Sequence, residues 1–327
     1  MKTNALLILM SMIVFVSTGQ DPQWVQQSSP ISDDFVALSI IDDQHLWIAS
    51  ASGSLLYTDD GGENWVVQNT FPQMHFESIC FSDPEHGCVV GWREAPGGTV
   101  IMMTSDGGQN WQDVDHPEGN CLYDVFFINN NRGWAVGIGG QTGWIIFSDD
   151  GGMTWDRQME ILGVSGELYS VHFRDELKGN ICGVGGTFLL TASAGASGNG
   201  WAINISIPSI GKDLYDLWNY GPTDGWAVGQ DGVTIYTNDS WANWTESASG
   251  TDQDLNAVHG DRMFGKAWAV GNAGTILYHS GWILPWEPQS SGVEEDLNDV
   301  GFVDADLGWA VGDNGTCLLY TSDATDD

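Results

Sequence analysis

Apolar residues in this chain come in short bursts, separated by clusters of Asn, Asp and Gly. Residues 122–127 form one short, mostly apolar run, 129–132 interrupt it, and 133–137 form the next. Residues 143–147 follow, and 148–155 close the unit on a polar turn ending in Trp155. Bursts of this length bounded by turn formers read as strands joined by tight turns. Beyond residue 20 no stretch places apolar residues at a 3.6-residue spacing, so almost no helix is expected.

The unit repeats. Gly133-Trp134-Ala135-Val136-Gly137 returns at Gly225–Gly229, Ala267–Gly271 and Gly308–Gly312, with weaker copies ending at Ser50, Gly91 and Gly183. The copies end at 50, 91, 137, 183, 229, 271 and 312, so neighbours lie 41 to 46 residues apart. Four short strands in about 40–45 residues is the size of a propeller blade. A lone blade leaves both faces wet, whereas a ring buries them against neighbours. The expected fold is all-β: a seven-bladed β-propeller of four-stranded antiparallel blades. The blades are placed at about 31–69, 75–115, 121–160, 167–206, 213–248, 254–290 and 296–327.

A second motif precedes the outermost strand. Thr58-x-Asp60-x-Gly62-x-Asn64-Trp65 recurs around Asp106, Gly108 and Trp111, and around Asp150, Gly152 and Trp155. This is the Asp-box pattern. The Asp can accept backbone N–H bonds in a tight turn, the Gly permits a positive φ, and the Trp buries a large ring. In blade 5 the pattern decays to Asp239, Trp241 and Trp244; in blades 4 and 6 only Trp201 and Trp282 or Trp286 remain. An Asp-rich turn also invites calcium, but these positions already have structural work, and no metal or cofactor is assigned.

The seventh repeat, ending at 321–327, has no Trp and no outer strand. Residues 24–29 (WVQQSS) resemble 286–291 (WEPQSS), the outer strand of blade 6. The N-terminal segment 22–29 is therefore expected to complete blade 7 and to remove two open sheet edges.

Residues 1–19 read as a secretory signal: Lys2, an apolar run over 5–16, then small residues before Gln20. Residues 20–327 would form one domain, exported to the periplasm, the cell surface or the medium. The formal charge is −35, from 44 acids against nine bases, which argues against nucleic acid and anionic membranes. A monomer is expected. Five cysteines make no framework, although Cys80 and Cys88 flank a turn and face each other if it is a hairpin.

The run G-W-A-V-G-x-x-G-x-I, the Asp boxes and an L-x-D-V-x-F opening together resemble the photosystem II stability/assembly factor family. The resemblance covers nearly all of the chain after residue 20. It implies a non-catalytic, lumenal or periplasmic seven-bladed propeller that binds a partner protein or a membrane-protein assembly intermediate. The family is also associated with an arginine-lined surface, whereas this chain has only Arg93, Arg132, Arg157, Arg174 and Arg262. The alternative is a secreted carbohydrate-active or carbohydrate-binding Asp-box propeller acting on a polysaccharide. Five arginines are too few for a sialidase site, and no carboxylate pair stands out for glycosidase chemistry. His172 and His259 occupy equivalent strand positions and read as packed residues.

Function is sought where the repeats differ. The pair before the Val of each inner strand reads Val36-Ala37, Glu77-Ser78, Tyr123-Asp124, Tyr169-Ser170, Tyr215-Asp216, Asn256-Ala257 and Asn298-Asp299. Three consecutive blades thus place Tyr near the axis, two with Asp beside it. Tyr123, Asp124, Tyr169, Tyr215 and Asp216 are the candidate binding residues; the alternative is that the tyrosines pack between blades.

Overall fold

The computed structural model describes residues 23–94, 97–158, 166–195, 200–204, 211–261, 265–281 and 284–322. The signal segment, Arg262 and Trp282 lie outside the described residues. Seven separate four-stranded antiparallel sheets are arranged as blades around an axis. Blade 3 shows the order from the axis outward: Cys121–Phe127, Gly133–Gly139, Thr142–Ser148 and Asp156–Arg157. Helical turns among the described residues are limited to three of the 3-10 type, at Val184–Gly186, Gln230–Gly232 and Asp313–Gly315.

Blade 7 takes Leu297–Phe302, Leu307–Gly312 and Thr316–Thr321 from the C-terminal end and Gln23–Gln26 from the other. Trp24 lies opposite Tyr320 in the antiparallel register. Its ring meets Phe302 edge-on at 5.9 Å and 87°. The box tryptophans of complete blades meet their own Phe in the same way: Trp111 on Phe81 at 5.9 Å and 89°, Trp155 on Phe127 at 5.8 Å and 88°, and Trp201 on Phe173 at 5.7 Å and 85°. Trp24 thus takes the place of the Trp that repeat seven lacks, and the ring is closed.

The repeated phrase can be assigned residue by residue. A Cβ on Gly87, Gly133, Gly179 or Gly308 would stand 2.4–2.7 Å from the ring of Phe81, Phe127, Phe173 or Phe302 of the same blade. The first Gly therefore makes room for that Phe. The Trp that follows stacks on the Phe of the next blade: Trp47 on Phe81 at 3.8 Å, Trp134 on Phe173 at 3.6 Å and Trp268 on Phe302 at 3.8 Å. Each such Phe is held between the Trp of the preceding blade and the outer Trp of its own. Large rings buried on both faces supply most of the contact between blades.

The box turns are held by side chains. Asp60 accepts from the Asn64 backbone N–H at 2.8 Å and from its Nδ2 at 2.7 Å, while the Thr58 hydroxyl donates to Asp60 and accepts from the Gly62 N–H. Asp106 and Asp150 repeat the set with Asn110 and Thr154. These bonds, first those from the Asn or Thr side chain, hold all three carboxyls below their ordinary range. Gly62, Gly108 and Gly152 have φ of 80–85°.

Blade 5 differs from the decay read in its sequence. Asp239 keeps the complete pattern with Asn243. Trp241 stands where the other boxes have Gly, at φ 65°, and its ring is fully buried. In this blade Asn219 occupies the position of the missing Phe. The Trp241 ring lies over Gly225 instead, donating from Nε1 to Asn219 Oδ1 at 2.8 Å. The outermost ring, Trp244, is only half-buried. In blade 6 Trp286 is the buried ring, 4.9 Å from Trp226. Cys80 and Cys88 are direct cross-strand partners and remain free thiols, as are all five cysteines.

Candidate functional site

The register between the first two strands slips by one residue in all seven blades, at one level of the ring. The residues skipped are Val36, Glu77, Tyr123, Tyr169, Tyr215, Asn256 and Asn298. Each is the extra residue of a β-bulge, without a cross-strand partner. The bulge drives a carbonyl of the inner strand against the second strand. A Cβ on Gly91, Gly137, Gly183, Gly229, Gly271 or Gly312 would sit 1.9–2.2 Å from that oxygen. The last Gly of the repeated phrase is therefore the mark of the bulge.

The next residue of each inner strand faces the channel, where Ser78, Asp124, Ser170, Asp216 and Asp299 line a cavity of about 780 Å³. Asp124 accepts from the backbone N–H of Val171 in blade 4 at 2.8 Å. Asp216 does the same from Val258 in blade 6, and Asp299 from Leu38 in blade 1, both at 2.8 Å. Each also accepts from the residue after it, and the Ser78 and Ser170 hydroxyls donate to Asp124 and Asp216. The carboxylates are partly exposed to the channel yet have protein on every side. This desolvation, opposed by the hydrogen bonds and reinforced by their mutual repulsion, raises Asp124 and pushes Asp216 up to about 7 and Asp299 up to about 8. Asp124 and Asp216 thus act as clasps between blades, below the level of the tyrosines.

Tyr123, Tyr169 and Tyr215 form an arc at the channel end where the inner strands begin. Tyr123 meets Tyr169 edge-on at 5.5 Å, and Tyr169 meets Tyr215 at 5.7 Å. All three are half-buried. The rings touch one another between blades and keep part of their surface exposed at the mouth. The Tyr123 hydroxyl donates to Glu167 Oε1 at 3.3 Å and that of Tyr169 to Glu167 Oε2 at 2.6 Å, while Tyr215 lies in the field of Asp254 and Asp213. Burial, then these carboxylates, raise all three phenols. Beside the arc, Glu77 accepts from Trp92 Nε1 at 3.2 Å, and the Trp92 ring is stacked on His75 at 3.9 Å and 6°. Burial raises the Glu77 carboxyl.

At the opposite end lie the turns between first and second strands and the Asp boxes. Arg174 donates to the Pro222 carbonyl there at 3.0 Å. Inside the channel His172 stands 4.3 Å and His259 4.0 Å from Trp218, packed as their strand positions suggest. Among the described residues no group of three or more His, Cys, Asp or Glu side chains is placed to hold a metal ion.

Residues 92–193 match the family model described as photosynthesis system II assembly factor YCF48. Over 144 residues the chain is 31% identical to the photosystem II assembly lipoprotein Ycf48 of Nostoc sp. (strain PCC 7120), covering 43% of this chain and 40% of that protein. The chain is similar to these assembly factors over part of its length. Its sequence match spans about two fifths of the length of that relative, whereas the likeness of fold extends over most of the chain. A solved YCF48 bound to a D1 peptide superposes with a TM-score of 0.72 at 19% identity, over 92% of this chain and 97% of that one. The GH74 xyloglucanase of Xanthomonas campestris gives 0.70 at 13% identity, over 93% and 54%; at such identity only the fold is shared. The region matched by the family model contains Tyr123, Asp124 and Tyr169, while Tyr215 lies beyond it.

Sequence reasoning missed Asp299 as the third clasp, along with Glu77, Glu167 and Asp254. Glu77 stood in the column of the tyrosines and Asp299 in that of Asp124 and Asp216, but only the pairs containing Tyr were singled out. Glu167 and Asp254 lie just before their inner strands, and only the folded bulge brings them to the phenols.

Proposed function

We propose that this chain is an exported, non-catalytic scaffold that binds a partner protein at the mouth formed by Tyr123, Tyr169 and Tyr215. By similarity to the Ycf48 proteins, the partner would be a photosystem II assembly intermediate. The observation that carries this reading is the arc itself: three half-buried phenols on three bulges that pair with no neighbouring strand. Tyr supplies area and a hydrogen bond at low entropic cost. The Asp-box propeller with glycosidase chemistry is the less favoured reading, because the channel carboxylates already accept backbone N–H groups of the next blade. Asp124 and Asp216 enter the proposal as residues that position the arc. The experiment is capture from native membrane extract on the immobilised chain. The expected result is enrichment of a discrete partner that Tyr123→Ala with Tyr169→Ala loses at an unchanged circular dichroism spectrum. Equal capture by the two proteins, or hydrolysis of xyloglucan by the wild-type chain, sinks it.

A further inference from the structure

We infer that the mouth from Trp92 to Tyr215 is a docking surface for a basic segment of the partner, one presenting Lys or Arg side chains. This deepens the proposed function and rests on it.

Three observations converge. The first concerns which bulges are available. Asn256 donates to the Leu297 carbonyl of blade 7 at 2.9 Å, and Asn298 donates to the Phe35 carbonyl of blade 1 at 2.8 Å. These two bulges hold neighbouring blades together. The bulges of blades 2 to 5 instead carry Glu77, Tyr123 and Tyr169, which bond side chains of the mouth, and Tyr215, whose ring lies against Tyr169.

The second is charge. Glu77, Glu167 and Asp254 lie among the rings, in a chain of formal charge −35. The basic residues nearby in sequence have acidic companions: Arg93 bonds Asp113 at 2.7 Å, and Lys212 lies 3.9 Å from Asp231. An anionic segment would be repelled, and a neutral one would leave the carboxylates uncompensated.

The third is the orientation of the phenols. The Tyr123 and Tyr169 hydroxyls donate into the Glu167 carboxylate, which enriches their rings in electron density. An electron-rich ring beside a carboxylate suits an ammonium or guanidinium, through cation–π attraction and charge together. Desolvation already penalises the Glu77 charge, and an arriving cation would relieve that penalty.

The test uses the chain without residues 1–19 and a fluorescently labelled, unstructured peptide alternating Gly and Arg, with a Gly–Glu twin. Anisotropy should show the Gly–Arg peptide binding and the twin failing to bind. Tyr169→Ala and Glu167→Gln should each weaken binding roughly tenfold, the size of one partly desolvated cation–π contact. Glu294→Gln, an equal change of charge on an exposed loop, should leave it unchanged. If Tyr169→Ala loses its fold, Tyr169→Phe with Glu167→Gln decides in its place. Binding indifferent to the mouth variants would mean diffuse attraction to the acidic shell and overturns the inference, as does equal affinity for the twin. A chain that ignores the Gly–Arg peptide yet still captures its partner from extract, in a Tyr169-dependent way, sinks this inference and leaves the proposed function standing. Failure of both experiments removes both.

Discussion

The bulges of blades 6 and 7 and those of blades 3, 4 and 5 share one backbone device, and they use it differently. Asn256 and Asn298 turn back into the protein and bond carbonyls of the next blade. Tyr123, Tyr169 and Tyr215 lie against one another at the mouth, and the first two send their hydroxyls to Glu167. The Asn side adjoins the seam where the two chain ends meet; the Tyr side lies across the ring from it. Identical geometry thus serves closure on one side and presentation on the other. Position in the repeat sets the backbone, and the side chain sets the task.

If the division is real, damage near the seam should cost stability and damage in the arc should cost binding. Trp24→Ala should have the largest effect, about 3–5 kcal/mol of stability, because it empties the ring site on Phe302 and Tyr320. Urea unfolding followed by tryptophan fluorescence measures it, and an unchanged midpoint would show that the seam does not depend on this ring. Asn298→Ala comes next, at about 1–3 kcal/mol, since it leaves the Phe35 carbonyl without this donor. Tyr169→Ala should cost less, about 1 kcal/mol for its two edge-on contacts, while abolishing partner capture. A Tyr169→Ala protein less stable than Asn298→Ala would erase the distinction.

The finest contrast is in pH. Asp299 belongs to the seam, and its folded carboxyl is pushed up to about 8 from an ordinary value near 3.8. Between these values the folded chain keeps a proton that the unfolded chain has released, so stability declines as pH rises from about 4 to about 8. Asp216 adds to the decline up to about 7. Asp299→Asn should flatten the fall in melting temperature over that window, and an equally steep fall would show that other groups govern it.

Much of the ring was legible from spacing. The phrase ending in Gly137 and its copies placed the second strands, and the likeness of Trp24 to Trp286 placed the closing strand. Both succeed because apolar patterning and a bulky ring are forced by burial. Blade 5 was harder: Trp241 looks like a spoiled box until Asn219, 22 residues earlier in the chain, is seen to leave the space that it fills. The bulge was harder still, since one skipped residue shifts which side chains face the axis. Its trace was the final Gly of every phrase but the first, which ends in Ser50, and a strand pattern alone gives no reason to expect that Gly. That shift sets Asp124 and Asp216 into the channel wall and leaves the tyrosines at the mouth.

The bulge also bears on how such a surface can change. A residue without a cross-strand partner takes no part in the ladder of its blade, so replacing it alters neither register nor pairing. The five bulges outside the Asn pair are therefore sites where recognition can be rewritten one blade at a time on an unaltered frame. An engineer seeking a new ligand for this ring would begin at Val36, Glu77, Tyr123, Tyr169 and Tyr215, and would leave Gly91, Gly137, Gly183 and Gly229 beneath the last four in place.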